Sequence, residues 1–197
     1  MNDHDQFFKW TMDGNLGLQA QFHDYLIKAL GEEAREIEAD EGLDKGNKEY
    51  WRLNYQEHFP KKLRETTFLL MFGHLEEVLY LLSKSCNPHE IALAENKSGI
   101  LKFKPYIKSV LGEELASSQD YQYIREAQVV RNSILHIAGR ISLSQDREAL
   151  EGLLKSRPNF YKAGNDRITI TVEGLKRFHD AVQGLTNKLI DKSREQS

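Results

Sequence analysis

Apolar residues return at helical intervals along most of the chain. Between Leu16 and about Glu38 the positions Leu18, Phe22, Tyr25, Leu26, Ala29 and Leu30 recur every three or four residues, the repeat of one helix face. Gly42, Gly46 and Asn47 break that pattern, and Trp51, Leu53 and Tyr55 fit either a short helix or an ordered connection. Pro60 suits a first helical turn, where its missing N–H would have no partner anyway. The segment Lys61 to Lys84 is apolar on most of its faces through Phe68, Leu69, Leu70, Met71, Phe72, Leu75, Val78, Leu79, Leu81 and Leu82. It reads as the central, most buried helix, about 36 Å long at 1.5 Å per residue.

Asn87 and Pro88 mark a turn, and a further helix is expected from about Ile100 to Leu111, closed by Gly112. Ser117, Ser118 and Asp120 are candidate N-caps for a long helix whose positions Tyr123, Ala127, Val130, Ile134 and Ile137 share one face. Gly139 lies near its end, and a short helix follows from Arg147 to Leu154. The period then changes. Asn159 to Lys162, the turn residues Ala163-Gly164-Asn165-Asp166 and the alternating Arg167-Ile168-Thr169-Ile170-Thr171 predict a β-hairpin. Val172 to Lys192 resumes helical spacing with Leu175, Phe178, Val182, Leu185 and Leu189. The expected fold is mainly α: a bundle of about five helices over 16–192, with a small β-hairpin at about 159–171 before the last helix. A chain of 197 residues suits one domain, 1–197.

Composition narrows the class. With 40% apolar and 29% charged residues and a net charge of −3, the chain is that of a folded globular protein. A single cysteine excludes a disulfide framework and a cysteine-based zinc site, and fits a reducing, cytoplasmic location. The acidic start MNDHDQFFKW carries no apolar signal run, and the Phe68–Leu82 stretch, interrupted by His74, Glu76 and Glu77, is too charged to cross a bilayer. Charge is uneven: 6 basic against 13 acidic residues over 1–58, 8 against 5 over 59–111, and 13 against 12 over 112–197. The acidic surplus from Glu32 to Asp44 reads as a solvated helix end and loop. Lys97, Lys102, Lys104 and Lys108, interleaved with Phe103 and Tyr106, fit a phosphate-contacting patch or a solvated amphipathic helix.

Several catalytic templates are absent: no phosphate-binding GxxxxGK[ST], no GxGxxG, no GxSxG and no HExxH. Cys86 and His89 form a two-ligand fragment without a second pair, so no metal or cofactor is expected. His74 reads as an interior or interfacial histidine. A carboxylate from Glu76 or Glu77 that faced the interior would need a cation such as Arg131.

The informative segment is Arg131-Asn132-Ser133-Ile134-Leu135-His136. At 100° per residue Asn132 and His136 share a face, about 40° apart, whereas Arg131 is about 140° from His136. One chain therefore makes a poor Arg–His pair, while two copies about a two-fold axis bring the histidine of one toward the arginine of the other. The chemistry such a pair suits is RNA cleavage without a metal. An imidazole takes the 2′-OH proton or protonates the 5′ leaving oxygen at neutral pH, and a guanidinium stabilises the phosphorane. Asn132 would orient the histidine or the phosphate.

Arg131-Asn132-x-x-x-His136 on a late helix of a helical bundle resembles the Arg-x4–6-His signature of the HEPN (higher eukaryotes and prokaryotes nucleotide-binding) superfamily. The resemblance implies a homodimeric, metal-independent endoribonuclease, as in toxin, abortive-infection and phage-defence systems, with products ending in a 2′,3′-cyclic phosphate and a 5′-hydroxyl. It implies Arg131 as transition-state stabiliser, His136 as acid or base and Asn132 as accessory polar group, with RNA as substrate and an antitoxin or regulatory protein as a further partner. The chain departs from one toxin branch, which carries a modified tyrosine two residues past the histidine; here that position is Ala138. Two alternatives stand beside this reading. A silent HEPN module would bind nucleotide, RNA or a protein without turnover. In a purely structural role, Arg131 would pair with Glu126 or a central-helix carboxylate and His136 would cap carbonyls at a helix end.

Overall fold

The computed structural model describes residues 3–86 and 90–195, with the side chains of 3–8 left aside. The turn at Asn87 and Pro88 and the Cys86–His89 fragment therefore fall at or beyond the described residues. The order is α1 (Asp3–Ala39), α2 (Lys45–Leu53), α3 (Phe59–Ser85), α4 (Lys104–Leu111), α5 (Glu114–Ser117), α6 (Gln119–Ile137), α7 (Arg147–Ser156), β1 (Tyr161–Gly164), β2 (Arg167–Ile170) and α8 (Val172–Glu195). The protein is mainly helical, with one two-stranded antiparallel hairpin immediately before the last helix. Asp44 caps α2 by accepting from the Gly46 and Asn47 amides. A π-type turn, Asn54–His58, joins α2 to α3, which starts with Pro60 in its first turn as its fixed φ favours.

α3 is the spine. Phe68, Met71, Phe72, Leu75, Val78, Leu79 and Leu82 are all buried, whereas Leu70 and Leu81, expected on the buried faces, lie 52 and 36% exposed on a solvent-facing stripe with Gly73, Glu77 and Tyr80. Phe178 of α8 stacks on Phe72 with ring centroids 5.5 Å apart and meets Phe68 edge-on at 4.8 Å. Truncating any of these rings would cost about 3–5 kcal/mol through lost burial and the cavity left behind. α6 runs antiparallel to α8 where they meet: Arg177 bonds Asp120 at 2.8 Å, and the Tyr123 hydroxyl donates to the Gly174 carbonyl at 3.0 Å. Ser118 caps α6 by accepting from the Tyr121 amide.

On α1 the expected face is corrected. Leu18, Phe22 and Tyr25 are 62, 58 and 69% exposed, and the side that packs carries Met12, Leu16, His23 and Ala34. The helix is apolar on two sides, and periodicity alone selects the richer one; the side carrying Met12 and Leu16 joins the core against α3, where Nε2–H of His74 donates to the Met12 carbonyl at 3.1 Å. The helix also begins earlier than Leu16, at Asp3.

Asn165 and Asp166 adopt left-handed φ of 51° and 61°, the geometry of a tight hairpin turn. The stretch leaving α6 meets β2 through a single antiparallel bridge, Arg140 opposite Arg167. Ile168 donates its amide to the Gly139 carbonyl at 2.9 Å, and Ile141 donates to the Asp166 carbonyl at 2.8 Å. The hairpin thus braces the C-terminal end of α6.

Candidate active site

Arg131, Asn132 and His136 all lie in the last two turns of α6. Arg131 leans toward α3. Its guanidinium stands 5.5 Å from the Phe72 ring centre and 3.8 Å from Glu76 Oε1, and donates to Asn132 Oδ1 at 3.1 Å. The Arg131 and Glu76 side chains retain 22 and 29% of their surface, so the pair is half-buried. A cation over an aromatic face, beside a carboxylate and an amide oxygen, is held in one orientation with part of its surface open. Glu126, the alternative partner, is taken by Arg157 at 3.1 Å.

His136 is placed differently. It is exposed in the final turn and makes no hydrogen bond or ion pair among the described residues. The chain therefore brings Arg131 and Asn132 together and keeps His136 away from Arg131, as their 140° separation on the helix requires. Leu135, 51% exposed, occupies the arc between them.

The backbone carrying His136 is fixed tightly. Ala138 and Gly139 take left-handed φ of 50° and 77°, and the Gly139 amide closes onto the Ser133 carbonyl at 2.9 Å. Arg167 Nη1 donates to the Ala138 carbonyl at 2.6 Å, supplying a cation at the negative end of the helix. The Asp166 carboxylate accepts from the Ser142 amide at 3.1 Å and from its hydroxyl. The Ser142 hydroxyl, as the largest cause, then the Ser142 amide and the nearby Arg140 and Arg147 hold the carboxyl of Asp166 below its ordinary range. Sequence reasoning missed Arg167 and Asp166 as supports, because their contacts join segments some 24 to 29 residues apart. Phe72 was legible only as core; its second role, under a guanidinium, needs the packing of α3 on α6.

The lysine-rich segment divides. Phe103 and Tyr106 are buried in the core, so they are not stacking platforms, while Lys104 and Lys108 open onto a surface cavity. Among the described residues no three His, Cys, Asp or Glu side chains gather as a metal-binding group, and no helix is long and apolar enough to cross a membrane. No family model, no curated protein and no solved structure matches the chain.

Proposed function

We propose that the protein is a homodimeric, metal-independent endoribonuclease of the HEPN type, acting as a toxin or phage-defence effector in the cytoplasm. Its two sites form where His136 of one chain meets Arg131 of its twin. One observation carries the reading: the last two turns of α6 hold a guanidinium already oriented by Phe72, Glu76 and Asn132, and an exposed, unpartnered imidazole on a rigidly braced helix end. An oriented cation and a free base are what phosphoryl transfer from a 2′-hydroxyl asks for. The 2′-oxygen attacks phosphorus as His136 accepts its proton. The P–O5′ bond breaks, the leaving oxygen takes a proton from the imidazolium of His136 or from water in exchange with it, and Arg131 balances the charge on the equatorial oxygens. The products are a 2′,3′-cyclic phosphate and a 5′-hydroxyl. Leu135, exposed between the two groups, is the kind of residue a two-fold partner would cover.

The test is cleavage of RNA by the purified protein in EDTA, with the new ends identified chemically. Cyclic phosphate ends, lost in His136→Ala with unchanged melting, support the proposal; undiminished cleavage by that variant ends it. Binding without turnover is the second reading, and it too has an observation behind it: Arg131 faces the Glu76 carboxylate of its own chain at 3.8 Å. That reading expects RNA affinity, intact RNA, and no growth defect on expression.

A further inference from the structure

A cavity of about 870 Å³ opens between α4, α5, α6 and α7, away from Arg131. Three cations stand on it, Lys104, Lys108 and Arg125, and none of them has an ion pair among the described residues. Of its two carboxylates, Glu126 is neutralised by Arg157 and only Glu113 has no such partner. The cavity is therefore net positive in a chain that is net negative. Its floor is apolar, formed by Leu115, Val129 and Leu153. Tyr121 forms part of its wall; it is 4% exposed, and its hydroxyl has no hydrogen-bond partner among the described residues. Gly152 of α7 also lines it, and beyond its own stretch of helix no described atom lies within 4 Å of where a Cβ would stand.

The cavity shares a helix face with the proposed site. Gln122, Arg125 and Val129 line it, and Asn132 and His136 continue the same series at steps of three and four. All five fall within an arc of about 80° on α6, and Val129 is about 10 Å from His136 along the axis. A chain of phosphates laid along this face meets the cavity and then the imidazole.

We propose that this cavity is a subsite for one nucleotide of single-stranded RNA flanking the cleaved bond. Its phosphate lies on Lys104, Lys108 and Arg125, and its base lies on the apolar floor of Leu115, Val129 and Leu153. The inference rests on RNA being the substrate, and it adds where the strand is held. Cations that track the backbone beside an apolar surface for a base are the two elements of sequence-tolerant strand binding.

The experiment measures fluorescence anisotropy of a short, labelled, mixed-sequence RNA oligonucleotide on the full chain carrying His136→Ala, across a salt series. Lys104→Gln with Lys108→Gln should weaken binding at least tenfold at low salt and flatten the log K against log salt slope by about 0.7, the value for one phosphate no longer neutralised. Gly152→Leu, which projects an apolar side chain into the cavity without a charge change, should weaken binding with the slope kept. Lys97→Gln with Lys102→Gln, exposed lysines outside the cavity, should leave both unchanged. Equal losses from the two lysine pairs, or wild-type affinity in both cavity variants, overturn the proposal. Saturation by adenosine 5′-monophosphate without displacement of the RNA also overturns it, since the cavity would then be a separate small-nucleotide site. Cleavage by the His136-intact chain is scored apart: cutting with cavity-independent binding defeats only the subsite, and cavity-dependent binding without cutting defeats only the nuclease.

Discussion

Replacing Gly139 by alanine should loosen the end of α6 that carries His136. Gly139 has φ of 77°, where a Cβ costs about 1–2 kcal/mol. That Cβ would stand 2.7 Å from the carbonyl oxygen of Ile168, inside any normal contact. The oxygen belongs to the backbone of β2, so it moves only if the strand does, and the Ile168–Gly139 hydrogen bond moves with it. Overpacking of this kind adds about 1–3 kcal/mol, which brings the expected loss to about 2–5 kcal/mol. Urea unfolding followed by circular dichroism reads it as a midpoint about 1–2 M lower at unchanged slope. The comparison is Gly152→Ala: Gly152 lies inside α7 with open space around it, and its alanine variant should gain up to about 1 kcal/mol. A Gly139→Ala midpoint equal to wild type would refute the claim that the hairpin clamps the helix end.

Two further perturbations test the packing around the site. Arg131→Met removes the cation beside a half-buried carboxylate and should cost about 1–2 kcal/mol; adding Glu76→Gln should recover part of it, giving a coupling of about 1 kcal/mol in a double-mutant cycle, whereas additive losses would mean the pair is idle. His74 should give stability a pH slope. Burial among apolar side chains holds its imidazole below the ordinary 6.5 and outweighs the opposing pull of the Met12 carbonyl, Glu77 and Asp13. The unfolded chain then binds the proton first, so the stabilisation is complete above about pH 6.5 and is lost as pH falls through the depressed value. Unfolding midpoints between about pH 5 and 7.5 should fall with pH in the wild type and fall less in His74→Gln; parallel curves would show that His74 does not carry the slope.

The helices were legible because their apolar repeats are long and strong. For α3 the expected Lys61–Lys84 compares with Phe59–Ser85, and the hairpin follows from turn residues that tolerate φ above zero. Leu18, Phe22 and Tyr25 misled because an exposed aromatic stripe has the same period as a buried one, and only the fit of Met12 and Leu16 against α3 separates them. The Arg131–Asn132–His136 pattern and its 140° divergence could be read from spacing, as could the need of a central carboxylate for a partner. The clamp by Arg167 and Asp166 could not, because it joins a helix end to a strand far along the chain. Nor could the cavity: Lys104 and Lys108 meet Arg125 only after α4 folds beside α6.

The central claim is that one active site takes His136 from one chain and Arg131 from another. Mixing Arg131→Ala and His136→Ala proteins after subunit exchange tests it directly. Random pairing gives half heterodimers, each with one of its two sites intact, so RNA cleavage should return to about a quarter of the wild-type rate. A mixture as inactive as its two parents would place both groups in the same chain's site and contradict the account.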